Sequence, residues 1–87
     1  MQEVSILEKK LNTEERMKNL RYAIGYYRKR RGLSQEQLSE LLGISRQHLA
    51  AIEAPNMNRG LSLDLLFEIA DKLDIEPYLL LKFNPEI

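Results

Sequence analysis

Between residues 35 and 54 the chain reads QEQLSELLGISRQHLAAIEA, two short amphipathic segments joined at one glycine. Leu38, Leu41 and Leu42 recur at i, i+3 and i+4, the spacing of a single apolar helical stripe. Gly43 follows at once, where helices commonly end in a residue at positive φ that glycine reaches without steric cost. Ile44 is then expected to turn back to the core and Ser45 to cap a second helix, in which Leu49 and Ile52 face inward. Only Gly43, Ile44 and Ser45 separate the two segments, so the helices must cross steeply around a shared core. That geometry is a helix-turn-helix, and the second helix of such a unit has the shape that enters a DNA major groove.

A second regularity supports the helix starts. Leu33 with Leu38, Ile44 with Leu49, and Leu61 with Leu66 each bracket a serine, Ser34, Ser45 and Ser62. The serine suits the N-cap and the apolar pair falls at the positions of a hydrophobic staple. Ser34 and Gln37 complete a capping box, worth about 1 kcal/mol at that start. Pro77 suits the first turn of a further helix, with Ile75 and Leu80 at the staple spacing. Helix starts are therefore expected near 34, 45, 62 and 76.

The flanking segments extend the helical reading. Val4, Leu7 and Leu11, with Ile6 beside them, predict a short helix over 3–11, and Asn12 and Thr13 interrupt it. Thr13 followed by Glu14 and Glu15 opens the next helix, which runs to about Arg31 with Leu20, Ile24 and Tyr27 inward and ends at Gly32. After helices over 34–42 and 45–54 comes a loop of turn formers at 55–60. Leu63, Leu66, Ala70 and Leu73 are expected to form the buried face of the following helix, flanked by Phe67 and Ile69. A last helix over 77–82 supplies Leu80. Alternating strand patterns are weak. The expectation is an all-α protein: an N-terminal helical extension over 1–12, a five-helix domain over 13–83 and a C-terminal tail over 84–87.

Composition excludes several classes. Eighty-seven residues suit one compact domain. With no cysteine there is neither a disulfide framework nor a thiolate metal site. No apolar run approaches a membrane span, and Met1, Gln2, Glu3 and Val4 do not open a signal peptide, so a cytoplasmic protein without membrane partners is expected. Asp71, Asp74 and Glu76 do not converge with a nucleophile or second base, and there is no Gly-rich phosphate loop or metal-ligand spacing. The chain is read as neither an enzyme nor a holder of metal or cofactor. The formal net charge is zero, but residues 16–59 carry nine Lys and Arg against three Glu, a net of +6. Residues 60–87 carry −4 and residues 1–15 carry −2. Such asymmetry suits one face turned toward phosphates, the alternative for 28–31 being a solvated helix end favoured by the helix dipole.

From Arg28 to Ile75 the chain resembles the lambda-repressor/Cro-like helix-turn-helix family, also called XRE. Arg28, Gly32, Leu33, Ser34, Gln35, Leu38, Gly43, Ile44, Ser45, Leu49, Ile52 and Glu53 carry the resemblance. Leu63, Leu66, Ile69, Ala70, Leu73 and Ile75 continue it. Ser39 stands where the family usually has alanine at a close helix contact; serine is small enough to fit and can bond back to its own helix. The 55–60 loop is longer than usual.

The resemblance implies roles for particular residues. Arg46, Gln47, Ala50 and Ala51 fall on the outward side of the second helix, from which the family reads bases. Arg46 would bind guanine bidentately, Gln47 would bind adenine through N6 and N7, and the alanines would meet a thymine methyl or simply be helix formers on a solvent face. Gln35 would hold a phosphate together with backbone N–H groups at a helix N-terminus. Ser45, Asn58 and Arg59 are further phosphate candidates, and His48 is either a phosphate contact or a partly buried ring. Arg28 would pair with Glu53 and lock the first helix to the end of the recognition helix. Lys29, Arg30 and Arg31 remain candidates for nonspecific phosphate attraction.

The leading reading is a sequence-specific double-stranded DNA-binding transcriptional regulator, of repressor type, acting as a homodimer. The alternatives are an antitoxin-type module that also holds a small protein partner, and a plain helical adaptor. Two apolar patches could join a dimer: Val4, Ile6, Leu7 and Leu11, or Leu65, Tyr78, Leu79, Leu81 and Phe83. The second is preferred, because it has more apolar side chains than a short last helix can bury.

Overall fold

The computed structural model of the protein describes residues 11–57 and 60–83. Five helices follow one another: α1 (Thr13–Arg30), α2 (Gln35–Leu42), α3 (Arg46–Glu53), α4 (Leu63–Lys72) and α5 (Pro77–Leu81). No strand occurs among the described residues, and none of their helices is long and apolar enough to cross a membrane. The helix expected over 3–11 and the tail over 84–87 lie outside the described residues, save Leu11, which is not helical.

Local chemistry sets each start. The Ser34 hydroxyl accepts from the Gln37 N–H at 3.0 Å while the Gln37 side chain accepts from the Ser34 N–H at 2.8 Å. Ser45 accepts from the His48 N–H at 3.0 Å, and Ser62 from the Leu65 N–H at 3.1 Å. Helix α1 starts at Thr13, as expected, with Asn12 as its cap: the Asn12 Oδ1 accepts from the Glu15 N–H at 2.7 Å and the Glu15 Oε1 accepts from the Asn12 N–H at 3.1 Å. Asn caps better than Thr, and here Glu15 falls three residues after it. Helix α5 opens on Pro77 with no side-chain cap, since proline removes one of the orphan donors.

Three helices stop in one way. Gly32 and Gly43 have φ +72° and Asp74 has φ +58°. In each case the N–H of the following apolar residue reaches back to a carbonyl five residues earlier: Leu33 to Arg28 (3.1 Å), Ile44 to Ser39 (3.0 Å) and Ile75 to Ala70 (3.0 Å). These closures satisfy orphan carbonyls and turn Leu33, Ile44 and Ile75 against the core. At Gly43 the left-handed conformation is what permits a turn this short, since an L side chain there costs about 1 kcal/mol or more.

The staple pattern resolves into packing. Leu38, Leu49, Leu66 and Leu80 are buried, and their partners Leu33, Ile44, Leu61 and Ile75 lie partly buried against them. Leu20, Ala23 and Ile24 of α1 complete the core with Ile52, Ile69, Ala70 and Leu73. Helix α2 packs on α3 and α4, α1 packs on α3 and α5, and α4 packs on α5. Full burial of one such aliphatic side chain contributes about 1.5–3 kcal/mol. Ser39 is buried at the α2 contact and donates its hydroxyl to the Glu36 carbonyl at 2.8 Å, which answers the polarity it brings inside.

Two expected core positions are not in the core. Leu41 is 50% exposed and Leu63 is 65% exposed, while Ile69, expected as a flank, is fully buried. At 100° per residue, Leu66, Ile69, Ala70 and Leu73 centre a stripe from which Leu63 lies about 70° away. On α2, Gln35, Leu38, Ser39 and Leu42 face the neighbouring helices, which puts Leu41 about 110° off that direction.

Candidate nucleic-acid interface

Helix α3 has two differently built ends. Ser45 caps it, and Arg46 and Gln47 project from its first turn as exposed side chains. Neither makes a hydrogen bond or ion pair within the described residues. At 100° per residue, Gln47 lies about 170° from the midpoint of Leu49 and Ile52, directly away from the core. Ala50, Ala51 and His48 are half-buried, with His48 nearer the core stripe. Asn58 and Arg59 lie outside the described residues.

The C-terminal end is held from α1 and α2. Arg28 meets Glu53 bidentately, Nε to Oε2 at 2.7 Å and Nη2 to Oε1 at 3.0 Å, and its Nη1 donates to the Leu33 carbonyl at 2.8 Å. Both side chains of the pair are less than a tenth exposed. The Gln35 Nε2 adds a third donor to the same carboxylate at 3.1 Å. That leaves Gln35 a second N–H on its amide nitrogen, beside the backbone N–H groups of the α2 N-terminus. Gly25 lies above this network: a Cβ there would sit 3.2 Å from the Glu53 Oε1, closer than nearly all real contacts. A helix-interior glycine costs about 1 kcal/mol relative to alanine, and this close approach accounts for it.

Arg21 was not singled out from the sequence, yet it belongs to the same assembly. It is buried, and its Nη1 donates to the carbonyls of Ala51 at 3.2 Å and Ile52 at 2.9 Å, in the last turn of α3. Its spacing from Ile24 and Arg28 on the inward stripe of α1 was the available signal.

The basic cluster is thus partly spent inside the molecule. Arg31, expected to attract phosphate, instead donates to the carbonyls of Leu73 at 2.6 Å and Asp74 at 2.8 Å, and pairs with the Asp74 carboxylate at 3.2 Å. The carbonyl end of α4 is a better place for a guanidinium than open solvent, because its orphan acceptors and partial negative charge lie within reach. Arg30 lies over the Tyr26 ring at 5.8 Å and donates to its hydroxyl at 3.1 Å; that hydrogen bond raises its pKa further. Lys18, Lys29 and Arg46 keep exposed charges with no partner within the described residues.

The preferred dimer patch is divided by the structure. Tyr78 and Leu81 are exposed and Leu65 and Leu79 half-buried. Phe83 is drawn instead onto α1, with ring centroids 5.3 Å from Tyr26 and 6.1 Å from Tyr27. Leu63 and Phe67, one turn apart on α4 and expected in or beside the core, are exposed apolar residues. Among the described residues no group of His, Asp and Glu side chains could hold a metal ion.

A family model described as Helix-turn-helix, HTH_3, matches residues 24–80. Among solved structures the chain is similar to a hypothetical transcription factor, NHTF, from Neisseria, at 26% identity and TM-score 0.71, covering 90% of this chain and 85% of that one. It is similar to the restriction-modification controller protein C.AhdI from Aeromonas hydrophila, at 33% identity and TM-score 0.66, covering 76% of this chain and 96% of that one. It is also similar to SinR, a master regulator for biofilm formation solved in complex with DNA, at 30% identity and TM-score 0.66, covering 72% of this chain and 98% of that one. No curated protein matches by sequence. With its turn at Gly43, its four staples and its α3 packed across α2, the chain belongs to the lambda-repressor/Cro-like, or XRE, helix-turn-helix family of DNA-binding regulators.

Proposed function

We propose that the protein binds double-stranded DNA sequence-specifically as a transcriptional repressor, with the first turn of α3 in the major groove. The observation that carries this reading is the pair Arg46 and Gln47, exposed and without partners among the described residues, at the tip of a helix whose other end is fixed. Arg46 offers the bidentate fork that matches guanine, and Gln47 the donor and acceptor pair that matches adenine. Ala50 and Ala51 let the helix approach a thymine methyl. Gln35, Ser45, His48, Asn58 and Arg59 contact phosphates, with the second N–H of Gln35 and the α2 N-terminus forming one anion site.

A homodimer in the cytoplasm would place two such helices about 34 Å apart on a half-site pair. Exposed Tyr78 and Leu81, together with half-buried Leu65 and Leu79, supply apolar surface for it. Selection of bound sites from a random duplex pool, together with a solution mass, tests the whole reading. Recovery of a palindrome, a dimer mass, and a changed base preference in Gln47→Ala are expected. No enrichment at low salt overturns it.

A further inference from the structure

The reading of α3 as a recognition helix leaves Arg21 without a role, although it is 4% exposed and reaches that helix. A helix C-terminus carries orphan carbonyls and about half a negative charge, and a guanidinium answers both. Arg21 donates to the Ala51 and Ile52 carbonyls, and Arg28 grips the side chain of the next residue, Glu53. The two arginines stand two helical turns apart on α1, about 10 Å. Buried Leu49 and Ile52 seat α3 in the core, and the two arginine attachments, separated along α1, fix the direction in which it is seated.

Direction matters because the contacts to DNA are at the far end. Eight residues make α3 about 12 Å long, so a tilt of about 10° at the held end moves the first turn by about 2 Å. A hydrogen bond at 2.7–3.2 Å does not survive such a displacement. We propose that Arg21 is a positioning residue for base recognition: it sets the angle at which α3 presents Arg46 and Gln47, without touching DNA itself. A buried arginine engaged with carbonyls releases no counterions from DNA, so its charge belongs outside the phosphate-binding count.

The test uses Arg21→Met, which keeps an unbranched apolar stem and loses every donor, and Arg21→Lys, which keeps the charge but not the fork. Dissociation constants are measured for the selected duplex and a scrambled one, over a range of salt, at a temperature where circular dichroism shows each variant folded. The Met variant is expected to lose about tenfold or more of the ratio between the two duplexes. Its affinity for the scrambled duplex and its salt slope are expected to match the parent, and Lys to recover part of the ratio. A slope shallower by about one unit would make Arg21 a phosphate contact, and an unchanged ratio in a folded variant would make it structural only; either result overturns the proposal. If the Met variant does not fold, the Lys variant carries the same comparison. A DNA-free measurement separates this proposal from the DNA reading. The backbone carbonyl ¹³C resonances of Ala51 and Ile52 are expected to shift in the variants, and resonances that stay in place overturn the clamp even where DNA binding holds. A parent protein that distinguishes no duplex, with the carbonyl shifts present, counts against the DNA reading instead.

Discussion

At its N-terminal end α3 presents Arg46 and Gln47 to solvent with no partner within the described residues. At its C-terminal end Ala51, Ile52 and Glu53 are held by Arg21, Arg28 and Gln35. The same residue type therefore does opposite work at the two ends of a helix about 12 Å long. Arginines at the held end satisfy carbonyls and a carboxylate, and the arginine at the other end keeps its donors unused. A base-reading helix needs both conditions. Free donors that swing with a loosely docked helix would meet many sequences equally, and a rigid helix with saturated donors would meet none.

The largest expected effect breaks the held end. Arg28→Ala strands the Glu53 carboxylate in a site where both partners are less than a tenth exposed. Removing one partner of a buried pair costs about 3–5 kcal/mol. At about 4–8 °C per kcal/mol for a domain of this size, thermal unfolding should show a fall in Tm of more than about 10 °C. The salt slope of DNA binding should hold near its parent value. An unchanged Tm with a shallower slope would move Arg28 from the held end to the DNA face and dissolve the contrast.

The next effect belongs to the exposed end. Gln47→Ala should leave unfolding free energy within about 0.5 kcal/mol, as surface substitutions without partners do. It should relax base preference at one position of the site by about 1–3 kcal/mol, read from competition between matched and mismatched duplexes. A loss of stability comparable to that of Arg28→Ala would show that Gln47 is part of the scaffold.

Ser45 stands on the boundary, and it sharpens the comparison because Ser62 is its internal control. Both hydroxyls cap a helix with nearly the same geometry, 3.0 and 3.1 Å. Ser45→Ala and Ser62→Ala should each cost about 1 kcal/mol in urea unfolding. Only Ser45→Ala should also weaken binding to matched and mismatched duplexes alike, as loss of a phosphate contact does. Equal DNA affinity in the two variants would restrict Ser45 to its cap.

What could be read in the sequence was the part written in local chemistry. Ser34, Ser45 and Ser62 cap the helices that follow them, and Gly43 takes the left-handed turn, because each feature depends on residues within five positions of itself. The division of the basic cluster was not readable in that way. A formal count credits Arg21, Arg28 and Arg31 equally with Arg46, yet three of the four are committed to helix ends or a carboxylate that lie 25 to 43 positions away in the chain, such as Leu73 and Asp74 for Arg31. Periodicity likewise supplies a repeat without its phase. The leucines of α2 define a stripe, but which edge of it is covered depends on where α3 and α4 lie.

That phase gives the smallest prediction. Leu38 and Leu41 are one turn apart on α2 and equally apolar, but Leu38 is fully buried and Leu41 is 50% exposed. Leu41→Gln should therefore change unfolding free energy by no more than about 0.5 kcal/mol, since little apolar surface returns to water and glutamine is as good a helix former as leucine. It should not alter affinity for the selected duplex, because Leu41 lies on neither end of α3. If the variant instead lowers the solution mass from dimer to monomer, Leu41 is covered by a second copy, and the dimer surface passes from Tyr78 and Leu81 to the outer face of α2. Solution mass and unfolding midpoint measured for parent and variant at the same two concentrations separate these outcomes: a solvent-facing Leu41 leaves the dilution dependence of the parent unchanged in Leu41→Gln, while an interface residue removes it.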